Sequence, residues 1–291
     1  MYAAAMAHND VLISAGKASA AVGRRPRYRT WIRGTRLAVF AALSGVCLAW
    51  SALSLLSPWF LLFLVPFALF GYIAMILALT VYRLAPRGAD LQRRIHDLIV
   101  TRAELSAASR ALDVGCGSGS LVVKLARASE DCTVTGVDTW GRDWEYSKEL
   151  CEDNARIEGV SARTAFLKQS GAALEFADGS FDAVVSCLTF HEIDDVERKS
   201  DGMVETLRVL RPGGRYVFLD LFGDPAFYPS IEDVREAIGR GGALILEFGS
   251  LADSLPLPFP LRHPKVLGHA MLIVGTKPGI AQRGIVTCQR G

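Results

Sequence analysis

Residues 111–120 read ALDVGCGSGS, in which Asp113 and three alternating glycines, Gly115, Gly117 and Gly119, close a short apolar run. A turn of glycines, having no Cβ, lets backbone approach a ligand closely. The dinucleotide fingerprint would need its third glycine at position 120, where the chain has Ser120, so the turn does not demand a pyrophosphate. Asp138 ends the next strand-like segment, CTVTGVD. A carboxylate there can accept two charge-assisted hydrogen bonds from a ribose diol, or it can simply cap the following helix. In SCLTFHEI, His191 is the side chain best suited to proton transfer near neutral pH, with Glu192 and Asp220 as further candidates. The plainer reading of His191 is a hydrogen-bonded strand-end residue that shapes a pocket floor. Cys187 raises a thiolate addition to a pyrimidine, but no Pro-Cys pair accompanies it.

The elements around these residues must be strands alternating with helices. RALDV leads into the glycine turn and the helix GSLVVKLARAS; CTVTGVD leads into the helix WEYSKELCEDNARIEG. TAFLKQ, FDAVVSCL, a helix through MVETLRVL, the turn RPGG and the strand RYVFLD follow. Such alternation implies a parallel sheet covered on both faces, with ligands at the carboxyl ends of its strands.

LDVGCGSGS, VTGVD, FADGSFDAVVS and RVLRPGG stand in the order and approximate spacing of the class I S-adenosylmethionine-dependent methyltransferases. Residues 95–276 resemble that family, most closely the broad group that includes the quinone C-methyltransferases. The resemblance implies an α/β, Rossmann-like seven-stranded sheet with helices on both faces and an antiparallel last strand, for which HAMLIVGTK is suited. It implies S-adenosylmethionine as cofactor. Asp113, Gly115, Gly117 and Gly119 would line its methionine part, with Cys116 also at the cofactor, Asp138 would hold the ribose, and Thr139 and Trp140 would lie beside the adenine. Ser170, Gly171 and Ser186 complete the expected cofactor contacts. Relatives often carry an Asp where this chain has Ser170, a hydroxyl that can still accept from the adenine amino group.

The first third of the chain is of another kind. Residues 1–89 carry nine basic side chains and one acid, Asp10, whereas residues 90–291 carry 23 basic and 29 acidic ones. A net-acidic catalytic part is a poor match for nucleic-acid phosphates, and no D/N-P-P-Y/F/W segment argues for methylation of bases. Leu37–Tyr82 contains no charge, a run of 46 residues that divides at Ser57-Pro58. A helix crossing the hydrocarbon core needs about 20 residues, so two transmembrane helices are expected, with Pro66 kinking the second. Trp50, Trp59, Tyr72 and Tyr82 suit interfacial positions. Arginines flank both ends, which places the N-terminus and the catalytic domain in the cytoplasm. The run is too long and starts too late for a secretory signal peptide. The expected organisation is a flexible basic tail over 1–36, a membrane hairpin over 37–82 and a methyltransferase domain over 83–291. LQRRIHDLIVTRAEL should form an amphipathic helix near the membrane.

None of the six cysteines forms a C-x-x-C pair, and no Cys or His stands at metal-ligand spacing from another, so reduced thiols and no metal are expected. The apolar, Pro-rich SLPLPFPLRHP, with Phe222, Phe227, Tyr228 and Phe259, can form a lid or ordinary packing over the sheet edge. The expected function is transfer of a methyl group to a small lipophilic acceptor, a quinone, isoprenoid or lipid. The alternatives are a non-catalytic, membrane-tethered S-adenosylmethionine sensor or scaffold and, disfavoured by Ser120, an NAD-dependent oxidoreductase.

Overall fold

A computed structural model describes residues 24–141 and 145–279. The N-terminal tail up to residue 23, Trp144 at the head of the expected helix, and Cys288 lie outside the described residues.

Seven strands form one sheet: β1 (Arg110–Val114), β2 (Thr133–Asp138), β3 (Thr164–Lys168), β4 (Phe181–Cys187), β5 (Leu210–Asp220), β6 (Leu244–Ser250) and β7 (Met271–Thr276). Their order is β3-β2-β1-β4-β5-β7-β6. β1 to β5 pair in parallel, while β7 runs antiparallel to both of its neighbours. The chain reverses its direction of winding between β1 and β4, and a crevice opens there at the strands' carboxyl ends. The RPGG turn is absorbed into β5 as an irregularity: Leu210 pairs with Phe181, and pairing resumes between Arg215 and Ala183.

Helices cover both faces. On one lie α3 (Leu91–Ala103), α4 (Ser120–Ala128) and α5 (Lys148–Ile157). Leu91, Ile95, Ile99 and Ala103 of α3 recur at helical spacing and are all buried beside Leu121 and Leu125. The apolar face of α3 is therefore spent on the sheet, not on lipid. On the other face, α6 (Asp201–Arg208) and α7 (Ile231–Arg240) bury Met203, Leu207, Val234 and Ile238 against Phe190 and Phe218.

Ahead of this domain stand two long apolar helices, α1 (Gly34–Ser51), continued by a 3₁₀ turn to Leu55, and α2 (Leu64–Leu84), preceded by a 3₁₀ turn from Pro58. Both segments are long and apolar enough to cross a membrane. The break falls at Leu56–Ser57, beside the proline. Pro66 sits in the first α-helical turn, where its missing N–H forfeits no hydrogen bond, and the change from 3₁₀ to α occurs two residues earlier. The helices pack antiparallel: Ser44 Oγ donates to the Phe67 carbonyl at 3.1 Å, and a Cβ on Gly71 would lie 3.1 Å from Ser44 Oγ. Their outer surfaces are uncovered by protein, with Leu55 95% and Trp59 77% exposed.

Residues 27–33, placed in a flexible tail by composition, instead cross the catalytic domain as a strap. Asn154 holds it through Arg27 N–H to Oδ1 (2.8 Å) and Nδ2 to the Arg27 carbonyl (3.2 Å). Gln92 Nε2 donates to the Arg29 carbonyl (3.0 Å) and the Tyr146 hydroxyl to the Thr30 carbonyl (3.0 Å). Arg29 pairs with Glu145 at 3.3 Å, and Trp31 meets His96 edge to face.

Candidate active site

A cavity of about 830 Å³ occupies the crevice, a size typical of small-molecule sites of about 300–1,000 Å³. β1 brings Asp113 to its wall. That carboxyl group is buried and neither oxygen has a hydrogen-bond partner among the described residues. Burial first, and the negative charge of Asp138 second, push its pKa up to about 8. A buried carboxyl group in this condition lacks a cation or donor, and the cavity is where one can come from.

The glycine turn then folds over the end of β2. The Gly115 and Cys116 N–H groups both donate to the Val137 carbonyl, at 2.8 and 3.0 Å. Gly115, Gly117 and Gly119 all have positive φ, and a Cβ at Gly115 would stand 2.0 Å from Thr189 Oγ1. Asp138 Oδ2 accepts from Gly117 N–H at 2.8 Å and Oδ1 from Trp140 N–H at 2.7 Å. These bonds pin the turn to β2 and leave each carboxylate oxygen a second lone pair for a diol. Asp138 does not cap the next helix, which begins only at Lys148.

The opposite wall follows β4. His191 Nδ1 lies 2.5 Å from Asp220 Oδ1, and its ring rests on Phe227 with centroids 5.0 Å apart. Burial lowers the imidazole pKa most strongly, but the charge and hydrogen bond of Asp220, with Glu192, outweigh it, and the net shift is upward. Cys187 is buried, and burial, Asp113 and Asp220 hold its thiol pKa well above the ordinary value. It therefore stays protonated, which opposes a thiolate mechanism.

Of the residues expected at the cofactor, Asp113, Gly115, Cys116, Gly117, Asp138, Thr139, Ser170 and Gly171 line this one cavity, as does His191. Gly119 lies behind it at the head of α4, where a Cβ would stand 3.2 Å from Cys151 and Phe166. Ser186 is not among the lining residues: its side chain is fully buried and its hydroxyl donates to the Val114 carbonyl at 2.9 Å, tying β4 to β1. Trp140 is not among the lining residues: it packs partly buried against the core, and its indole donates to the Gly117 carbonyl at 3.0 Å. The Ser170 hydroxyl is occupied, donating to Asp195 Oδ1 at 3.0 Å and accepting from Ala172 N–H at 3.1 Å. Asp195 thus returns a carboxylate to this part of the wall. Of the four aromatics, Phe227 alone faces the cavity; Phe222 and Tyr228 are core residues and Phe259 is exposed.

Three cavity residues carried no signal in the sequence. His96, on α3, lies 3.2 Å from Ser120 Oγ, and complete burial, then Lys124, lowers its pKa to about 3, so its imidazole is neutral. Gln92 and Tyr146 reach the cavity while holding the strap. Among the described residues, no cluster of three or more potential metal ligands occurs.

A three-glycine turn after β1 and a carboxylate ending β2, at the switch point of a mixed seven-stranded sheet, define a site for a nucleoside-bearing cofactor. Residues 112–218 match the family described as "Methyltransferase domain". The O-methyltransferase rstn1 of Aspergillus nomiae is 30% identical over 162 residues, 50% of this chain and 68% of the relative. The demethylmenaquinone methyltransferase of Thermus thermophilus is 34% identical over 47% of this chain and 58% of its own length. The chain spans about half the length of several other curated relatives. Geranyl diphosphate C-methyltransferase from Streptomyces coelicolor, at 16% identity, superimposes with a TM-score of 0.53 over 65% of this chain and 80% of its own, and shows the shared fold. The chain belongs to the S-adenosylmethionine-dependent methyltransferases, and S-adenosylmethionine is its cofactor. The residues present fit it: the unpartnered Asp113 carboxyl group suits its cationic amino-acid end, and the side-chain-free turn admits its bulk.

Proposed function

We propose that this chain is a membrane-anchored methyltransferase whose acceptor is a lipophilic small molecule carrying an ionisable proton on its nucleophile. One observation carries the reading. Leu77 and Leu84 of the exposed apolar helix α2 wall the same cavity as the glycine turn and His191. A contiguous apolar surface left uncovered by protein marks a membrane or partner contact, and here it is long enough to span a bilayer twice. Arg24, Arg25, Arg27, Arg29, Arg33 and Arg36 before α1, with Arg83 and Arg87 after α2, support a cytoplasmic side for both ends.

S-adenosylmethionine, when bound, supplies a methyl group already activated by a positively charged sulfur. What remains for the protein is mainly alignment of the nucleophile. Asp113, Asp138 and the glycine turn hold the cofactor, with Thr139, Ser170 and Gly171 beside it. His191 removes the acceptor's proton, Asp220 orients its ring, and Phe227 supplies an apolar surface against it. One relative is named an O-methyltransferase and another a demethylmenaquinone methyltransferase.

The test supplies the protein, in vesicles, with methyl-labelled S-adenosylmethionine and either a lipid extract or a soluble extract of cells. Transfer with the lipid extract supports the reading. Transfer only with the soluble extract overturns the lipophilic acceptor, and tight cofactor binding with no transfer to either overturns the enzymatic role.

A further inference from the structure

The cavity is larger than its cofactor wall, and part of its remaining lining comes from three separate pieces of chain. Ile32 and Arg36 belong to the end of the strap and the first turn of α1. Leu77 and Leu84 lie on the last turns of α2. Val266 and Leu267 belong to the short helical turn Pro264–Gly268. Five of these six are apolar, and Arg36 is joined at the cavity by the charged Arg29, Arg33 and Lys265 of the same pieces.

Depth along α2 gives this wall its meaning. Arg83 is the first charged residue after the uncharged run, and Leu77 precedes it by six residues, about 9 Å at 1.5 Å rise per residue. If Arg83 stands at the headgroup level, the cavity is walled well into the apolar stretch. Leu84, one residue beyond Arg83, is at the same time part of the buried core of the catalytic domain. The base of α2 is therefore shared between bilayer and active site. Arg36, the last charge before the uncharged run, marks the headgroup level on α1 in the same opening. At the inner end, Gln92 Oε1 is buried without a hydrogen-bond partner among the described residues, while its Nε2 is held by the strap. A buried acceptor of this kind is satisfied by a donor on an incoming molecule.

We propose that the acceptor enters sideways from the cytoplasmic leaflet, through a portal between the first turn of α1 and the last two turns of α2. Its apolar chain stays against Leu77, Leu84, Val266 and Leu267 while a hydroxyl-bearing head reaches Gln92 and His191. The ligand class is an amphipathic molecule with a long alkyl or prenyl chain and a hydrogen-bond-donating head. This rests on the lipophilic-acceptor reading and adds the route and the chain-binding surface. Side-chain size at Leu77 then selects for chain-bearing acceptors without touching the cofactor.

The experiment uses the full chain in phosphatidylcholine–phosphatidylglycerol vesicles and a long-chain alkyl hydroquinone carrying a diazirine at the chain end. After photolysis the labelled residues are mapped by mass spectrometry. Label is expected on residues 77–84 and 264–267. Leu77→Trp should reduce label on 264–267 by about tenfold or more, the scale on which an apolar pocket discriminates by size, with S-adenosylmethionine binding unchanged. Leu77→Ala should keep the label. Label confined to the outer surface of residues 37–76, or unchanged in Leu77→Trp, overturns the portal. Photolabelling needs no turnover, so failure of the lipophilic-acceptor reading shows separately, as labelled residues at the portal without methyl transfer to any lipid.

Discussion

Nδ1 of His191 lies 2.5 Å from Oδ1 of Asp220, a carboxylate with no solvent exposure that also accepts from the Leu221 N–H at 2.6 Å. The pair links the turn after β4 to the end of β5 and fixes the imidazole, whose Nε2 lies 3.6 Å from Glu192 Oε1 at the cavity wall. Two opposing influences meet on this ring, burial against its charge and Asp220 in favour of it.

The first prediction concerns that balance. The neutral imidazole is the working form of a general base, so kcat/KM should climb with pH through a midpoint above the ordinary histidine value. In Asp220→Asn the burial effect is opposed mainly by Glu192, and the midpoint should move to lower pH while the plateau falls. His191→Gln should lose about 10²–10⁴-fold in kcat, the usual contribution of a positioned base. A histidine with a raised folded pKa stabilises the fold below its unfolded pKa, and that contribution disappears as pH rises through the folded value. Asp220→Asn should therefore cost more stability at pH 5.5 than at pH 8.5 (both about one unit or more from the ordinary histidine value). The pH–rate profile and paired denaturation curves check both signs.

A second prediction follows from Asp113. With its pKa pushed up to about 8, the carboxyl group is mostly protonated at neutral pH in the cofactor-free protein. A cationic cofactor beside it favours the ionised form, so binding should release a proton and tighten between pH 6 and about 7.5. Titration calorimetry in buffers of different ionisation enthalpy reads that proton directly. Asp113→Asn should abolish the buffer dependence and weaken binding.

The glycine turn offers a controlled comparison. Gly115 and Gly159 have φ of +79° and +73°, but a Cβ at Gly115 would meet Thr189 Oγ1 at 2.0 Å whereas Gly159 has nothing within 4 Å. Gly159→Ala should cost only backbone strain, about 1 kcal/mol. Gly115→Ala should cost more stability and also abolish cofactor binding, because Thr189 or the turn must move. Thermal unfolding and equilibrium dialysis with S-adenosylmethionine distinguish the two.

The strap yields the fourth. Asn154 is buried and joins Arg27 to the Ser118 carbonyl (3.0 Å) of the glycine turn. Asn154→Ala leaves the buried Ser118 carbonyl without this partner, at about 1–3 kcal/mol, and releases the exposed Arg27 backbone. Trypsin should then cut between Arg24 and Arg33 much faster than in the wild-type chain, and S-adenosylmethionine should dissociate faster. Equal protection in both proteins would mean that the strap is held elsewhere.

What the sequence could show was what is contiguous in it. Asp113 and the glycines stand within one turn, and Asp138 ends an unmistakable strand, so their types and spacing sufficed. The uncharged run of residues 37–82 likewise announces two apolar helices by length alone. Contacts between distant segments were invisible. Asp195 comes to Ser170 from 25 residues away, and His96 looks like any polar residue on an amphipathic helix until Trp31 and Ser120 surround it. The strap misled because arginines beside an apolar run carry the same composition whether they face lipid headgroups or lie across a protein surface. Ser186 shows a further limit: position at a strand's carboxyl end does not say which face its side chain takes.

The most direct test of the central claim follows the methyl label into lipid in detergent-free membranes that contain the protein, with Asp138→Ala as the control. Label in the organic-extractable fraction that vanishes in Asp138→Ala is the predicted result. Label that appears only in water-soluble products, or persists equally in Asp138→Ala, would contradict the account.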